Sequence, residues 1–177
     1  MNVIIVGAGK VGSYLTSKLS DKGHNILVIE KNKDVLERLL ASNDVMGILG
    51  DGRDLAVLDE ANVDECDAFI AMTFNDDVNL ISSMIAKKKG AKSTIVRLRD
   101  PRYIKYDEFM RKTMGVDRLV NPEYYAAKEI QRTLKYTYAV NVENFLDSKV
   151  ILIELEIDEN SKLANKSLMD LNAEGLL

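Results

Sequence analysis

The sequence predicts an α/β fold, a doubly wound parallel sheet of about six strands, on three observations. Short apolar runs alternate with amphipathic segments from residue 2 to residue 138. The runs are apolar almost throughout, as strands covered by helices on both faces must be. A glycine-rich turn, Gly7-Ala8-Gly9-Lys10-Val11-Gly12, joins the first run to the first amphipathic segment.

Taken in order, Asn2 to Val6 reads as a buried strand and Val11 to Leu19 as its helix, which Gly23 ends. Asn25 to Ile29 is the next strand, Asp34 to Ala41 a helix, and Val45 to Leu49 the third strand. A short helix at Leu55 to Asn62 leads to a strand at Ala68 to Met72. Asp76 to Lys89 is a helix whose apolar face carries Val78, Ile81, Met84 and Ile85. Thr94 to Leu98 is a strand, Tyr103 to Met114 a helix and Arg118 to Val120 a short strand. Pro122, at a tolerated early position, opens a long helix to about Tyr136.

The pattern then changes. Tyr138 to Ser148 reads as a polar-apolar connector, with residues 139–149 as the join in the domain division. Val150 to Ile157 has the period of a half-buried strand, Asp158 to Ser161 a turn, and Ser167 to Leu171 the start of a helix. A strand and one helix cannot bury a core alone. Residues 139–177 therefore read either as an appendage on a first domain spanning residues 1–138 or as the start of an incomplete second domain.

Of the 177 residues, 46% are hydrophobic, enough for a core without staples. The single cysteine, Cys66, excludes an intrachain disulfide framework and fits a reduced, cytoplasmic setting. The run Val3 to Val6 is too short for a leader or a membrane span, and no later run is long enough either. Net charge is −4 with acids and bases mixed, which argues against a nucleic-acid surface. Lys87-Lys88-Lys89 fits a solvated helix C-terminus favoured by the helix dipole.

The glycine turn has the spacing of a dinucleotide-binding fingerprint in its proper context, after a strand and opening a helix. Gly7 permits the tight turn, Gly9 lets a phosphate approach the backbone, and Gly12 lets the helix pack against the strand. The exposed N–H groups favour an anion. Glu30 ends the second strand, where a carboxylate accepts both ribose hydroxyls of an adenosine. It disfavours a 2′-phosphate, a preference that Lys31 beside it softens. Lys10 either pairs with ligand phosphates or is a solvated first-turn lysine. Asp51, in Gly50-Asp51-Gly52, follows the third strand, and Thr73 and Phe74 follow the fourth. These strand ends line the same crevice in a Rossmann-type sheet. Arg97, in the fifth strand, calls for an anionic partner, which is a ligand phosphate or a carboxylate such as Asp100 or Glu123.

No catalytic set accompanies this crevice. His24 and Cys66 fall at the opposite ends of their strands. Tyr14 with Lys18 and Tyr124 with Lys128 have the Tyr-x-x-x-Lys spacing of short-chain dehydrogenases. Tyr124 and Lys128 therefore define an alternative, a small NAD-dependent oxidoreductase. No His/Cys cluster has metal-ligand spacing, and Glu123 joins a cation only with help from another chain.

The stretches NVIIVGAGKVGSYL, LVIEKN, ILGDG, FIAMTFNDDVNLISSMIAKK, IVRLRDPRY and LVNPEYYAAKEI resemble the Trk-type regulatory subunits of potassium transporters and channels. These are the TrkA N-terminal, RCK or KTN domains. The tail VILIELEIDENSKLANKSLMDLN resembles the start of the family's C-terminal, TrkA-C-like domain, which implies that residues 150–177 are the incomplete beginning of a second, α+β domain. The resemblance implies a non-enzymatic switch that binds NAD(H) or ATP/ADP and forms a homodimer or a larger ring. Such a switch gates potassium flux through a membrane-embedded transporter or channel subunit, to which it is peripheral. By residue match Gly7 to Val11, Glu30, Thr73, Phe74 and Arg97 would hold the nucleotide, with Asp51 close by. Glu123 would stand at an inter-subunit cation site, and the helix from Pro122 would cross to a partner.

Overall fold

The computed structural model describes residues 1–145 and 150–175. Six strands form one parallel sheet: β1 (Asn2–Val6), β2 (Asn25–Glu30), β3 (Met46–Leu49), β4 (Ala68–Ala71), β5 (Thr94–Arg97) and β6 (Arg118–Val120). Their order across the sheet is β3-β2-β1-β4-β5-β6. In this order the chain reverses direction between β1 and β4, which opens a crevice at their carboxyl ends. Residues Val3 to Val6 of β1 are all buried. Ile4 and Val6 face one hydrophobic cluster with Phe69 and Leu58, while Val3 and Ile5 face a second with Val28 and Ile70. The uniformly apolar β1 is thus a strand buried on both faces.

The helices α1 (Lys10–Ser20), α2 (Lys33–Ser42), α3 (Leu55–Glu60) and α4 (Asp76–Lys89) connect the strands. Side chains set three of their starts. Asn32 accepts from Val35 N, Asp54 from Ala56 N, and Asn75 from Asp77 N and Val78 N. Helix α1 begins at Gly9 with no side-chain cap.

The expected apolar face of α4 is corrected. Its buried residues are Asn79, Ser82, Ser83 and Ala86, while Ile81 is exposed. Small side chains let the helix approach the sheet closely, and the larger Met84 and Ile85 pack at its flanks. The lysine run at the end of α4 is only partly solvated. Lys87 pairs with Asp117 (2.8 Å) and Lys89 with Asp59 (2.5 Å).

The helix expected over Tyr103 to Met114 is two helices, α5 (Pro101–Lys105) and α6 (Asp107–Met114). Tyr106 leaves helical geometry between them (φ −113°, ψ 29°). The earlier start follows from the Asp100 cap on Arg102 N and from Pro101 at the first position.

The chain divides into two compact units, Met1–Ala126 and Ala127–Leu177. The division falls within α7 (Pro122–Lys135), a helix that buries no residue. In the second unit the expected connector is corrected. Ala139–Phe145 is a strand, β7, paired antiparallel with β8 (Val150–Leu155), with Val142 opposite Ile153. Val140 and Val142 alternate with Asn141 and Glu143, a period of two hidden by asparagines that strands disfavour. Residues 146–149 of that connector lie outside the described residues. Strand β8 is mostly exposed rather than half-buried, with Ile151 at 40% and Leu152 at 58%. A final helix, α8 (Leu168–Ala173), starts at a capping box between Ser167 and Asp170.

Candidate functional site

A cavity of about 670 Å³ opens at the carboxyl ends of the central strands. It brings together Gly7, Gly9, Lys10 and Val11 of the glycine turn, Glu30 at the end of β2 and Lys31 after it, Asp51 after β3, Thr73 and Phe74 after β4, and Arg97 of β5. Two residues named from the sequence stand behind the wall. Ala8 is buried, and its N–H donates to Glu30 Oε2 (2.7 Å). Gly12 packs α1 against the turn, where a Cβ would lie 2.0 Å from the Gly7 carbonyl oxygen. A Cβ at Gly9 would meet no atom within 4 Å.

Glu30 fixes the turn from outside. Its Oε1 accepts from Asn32 N (2.9 Å) while its Oε2 holds Ala8 N. Each carboxylate oxygen retains a further lone pair. Lys31 lies over the exposed Phe74 ring, 5.8 Å from its centroid.

Asp51 is held by a residue that sequence reasoning missed. Arg53 donates to it from its backbone N–H (2.9 Å), Nε (3.0 Å) and Nη2 (2.7 Å). The Arg53 side chain holds the Asp51 carboxyl down to about 2, against an ordinary value of about 3.9. A depressed folded-state pKa gives stability that is present above the unfolded value and lost as pH falls through the folded one. Asp51→Asn should therefore flatten the loss of stability between about pH 4 and about pH 2. The effect should be small, because both side chains are more than a third exposed. Urea midpoints measured across that range check it; parallel acid limbs in the two proteins would remove the pair from the acid response.

Two buried amides organise the far wall. Asn79 accepts from Thr73 N (2.9 Å) and Thr73 Oγ1 (2.6 Å), and donates to Thr73 O (3.0 Å) and Arg97 O (2.9 Å). Asn121 donates to Arg99 O (2.8 Å) and caps Tyr124 N (2.8 Å). Asp76 accepts from the backbone N–H groups of Arg99 and Asp100. Spacing carried a signal for Asn79, since Asn79, Ser82, Ser83 and Ala86 recur at i, i+3, i+4 and i+7.

Of the anionic partners weighed for Arg97, Glu123 is the one it meets, and Asp100 pairs instead with Arg102. Arg97 Nη2 donates to Glu123 Oε1, while its buried Nε has no hydrogen-bond partner. Burial pushes the Glu123 carboxyl up, but its own helix-end N–H and Arg97 outweigh burial and hold it below its ordinary value. Glu123 also lines the cavity.

The remaining candidates lie elsewhere. His24 and Cys66 border a separate cleft at the amino ends of β1 and β2. Burial pushes the Cys66 thiol up to about 11, which leaves it a poor nucleophile at neutral pH. Tyr124 does not line the cavity; it packs edge-on against Tyr125. Among the described residues no group of three or more His, Cys, Asp or Glu could hold a metal ion. Among them also, no helix is long and apolar enough to cross a membrane.

The strand order, the glycine turn at the switch point and the cavity above it define a Rossmann-type α/β domain. The chain belongs to the TrkA-N domain family, whose pattern it matches over residues 3–122. It is 38% identical over 171 residues to the Trk system potassium uptake protein TrkA homolog of Archaeoglobus fulgidus. That match covers 97% of this chain and 39% of the relative, so the chain spans about two-fifths of the relative's length. Two solved structures share the fold. The GsuK channel bound to NAD superposes with a TM-score of 0.63 at 19% identity, covering 82% of this chain and 25% of that one. GsuK bound to ADP gives a TM-score of 0.63 at 18% identity, covering 77% and 34%. The relative is named for potassium uptake and not for an enzymatic reaction.

Proposed function

We propose that this chain is a nucleotide-sensing regulatory module of a potassium uptake system, binding NAD(H) or ATP/ADP in the cavity at the switch point. The observation that carries the reading is the composition of that cavity. The cavity is lined by the start of α1, which has no side-chain cap, by the Lys10 and Arg97 cations, and by the Glu30 carboxylate at the end of β2. The amides and cations suit phosphate. Glu30, already oriented by two backbone N–H groups, accepts the adenosine ribose hydroxyls with its remaining lone pairs. Thr73, Phe74, Asp51 and Lys31 border the rest of the ligand. NAD and ADP in the GsuK structures support a site of this class, and the family's name supports the potassium context.

In this reading the nucleotide is a signal. It regulates a membrane-embedded partner through a homodimer or ring of this chain, favouring one of two assembly shapes by binding it more tightly. Ligand at a hundred times its dissociation constant adds about 2.7 kcal/mol of stability, worth about 5–10 °C in a domain this size. The purified protein should show a shift of that order with NAD, NADH, ATP or ADP, with scattering reporting a change in assembly shape. No shift with any of the four at millimolar concentration would sink the proposal.

A further inference from the structure

The side-on edge of the Arg97 guanidinium is half used. Its side-on fork consists of Nε and Nη2, and Glu123 takes Nη2 through one carboxylate oxygen. The other prong, Nε, is buried without a partner. The arginine side chain is 12% exposed, whereas that of Glu123 is 50% exposed. The fork is therefore fixed in the cavity wall, and its carboxylate partner is the side that can leave. Arg99 lies within reach of a departing carboxylate, its Nε already 3.9 Å from Glu123 Oε1.

A phosphate offers two oxygens in the geometry of such a fork and pairs with both prongs, which the single carboxylate oxygen does not. We propose that Glu123 is an internal competitor for the phosphate seat on Arg97. A ligand phosphate that reaches Arg97 takes Nε and displaces the carboxylate from Nη2. Glu123 is thereby a specificity-determining residue. It sets a threshold that phosphate-bearing ligands cross and neutral adenosine does not. Glu123 sits in the first turn of α7, so the displacement also frees that turn from β5, while the Asn121 cap remains. This inference rests on the nucleotide reading of the cavity.

Competition differs from simple repulsion between Glu123 and a phosphate, and a double-mutant cycle separates the two. Calorimetric titration would use ADP, pyrophosphate and adenosine against wild type, Glu123→Gln, Arg97→Gln and the double variant. Glu123→Gln should tighten ADP and pyrophosphate by about fivefold, the scale of a half-exposed ion pair. Adenosine binding should not change. In the Arg97→Gln background the gain should vanish; Arg97→Lys, which keeps the charge but loses the fork, serves if the glutamine variant does not fold. A gain that persists without the arginine shows repulsion and overturns the competition. Unchanged or weaker ADP binding by Glu123→Gln, with wild type binding ADP, overturns it too and leaves the nucleotide reading standing. Binding of ADP by none of the variants nor by wild type overturns both.

Discussion

Gly12→Ala lowers the midpoint of thermal unfolding by about 10 °C, the equivalent of about 3 kcal/mol in a domain of this size. The added Cβ would lie 2.0 Å from the carbonyl oxygen of Gly7. That oxygen belongs to the backbone and has no rotamer to move into. Gly7 cannot retreat either. It holds a φ of +98°, its N–H donates to Ile29 O (2.9 Å), and a Cβ of its own would lie 2.9 Å from Thr73 Cγ2. Relief requires α1 to lift from the sheet, which strips Val11 and Leu15 from the core around Val3 and Ile5. Gly9→Ala is the matched control, since a Cβ there meets nothing within 4 Å. Its cost should be about 1 kcal/mol or less, that of an altered helix start. Calorimetric scans of both variants decide the matter. Equal losses would mean that close packing at Gly12 is not what the turn requires.

The same two glycines show what the sequence made legible. A fingerprint records which backbone positions lack a Cβ, and Gly7 and Gly12 lack one for packing reasons that the spacing implies. The strands were equally readable because a parallel sheet buried on both faces leaves apolar runs with no alternation. The ends of β1 and β6 and the whole of α4 fall where the pattern puts them. In α4 the error arises because apolarity is a poor guide where close approach matters more. The buried face of α4 is small and polar, so its most apolar positions pointed to the wrong side. In β7 the alternation is present, but Asn141 and Asn144 disguise it. Strand-end position placed Glu30, Thr73, Phe74 and Arg97 at one crevice, and all four line the cavity. Arg53 was not disclosed, because it acts through Asp51 and only the folded loop brings them together. The choice between Asp100 and Glu123 as the carboxylate partner of Arg97 also needed three-dimensional distances, and Glu123 takes only one prong of the side-on fork.

Asn79→Ala destabilises the protein by about 4 kcal/mol and also weakens any ligand that touches Thr73 or Arg97. The amide is fully buried and makes four hydrogen bonds, two accepted from Thr73 and one donated to each of Thr73 O and Arg97 O. Truncation leaves the Thr73 N–H, the Thr73 carbonyl and the Arg97 carbonyl without that partner beside a fully buried position. Each stranded group costs about 1–3 kcal/mol, and partial relaxation brings the sum below three full penalties. Asn79→Asp tests the donors separately. A carboxylate can still accept from Thr73, but it cannot donate to either carbonyl and it adds a buried charge. It should therefore be no more stable than the alanine variant. The functional consequence follows from position. Asn79 ties the end of β4 to the end of β5, and both Thr73 and Arg97 line the cavity. Under the nucleotide reading, ADP affinity should fall at a temperature where the variant is still folded. Urea midpoints give the stability and calorimetry the affinity. A folded Asn79→Ala protein with wild-type ADP affinity would show that the strand ends hold their places without the amide, and that its role is stability alone.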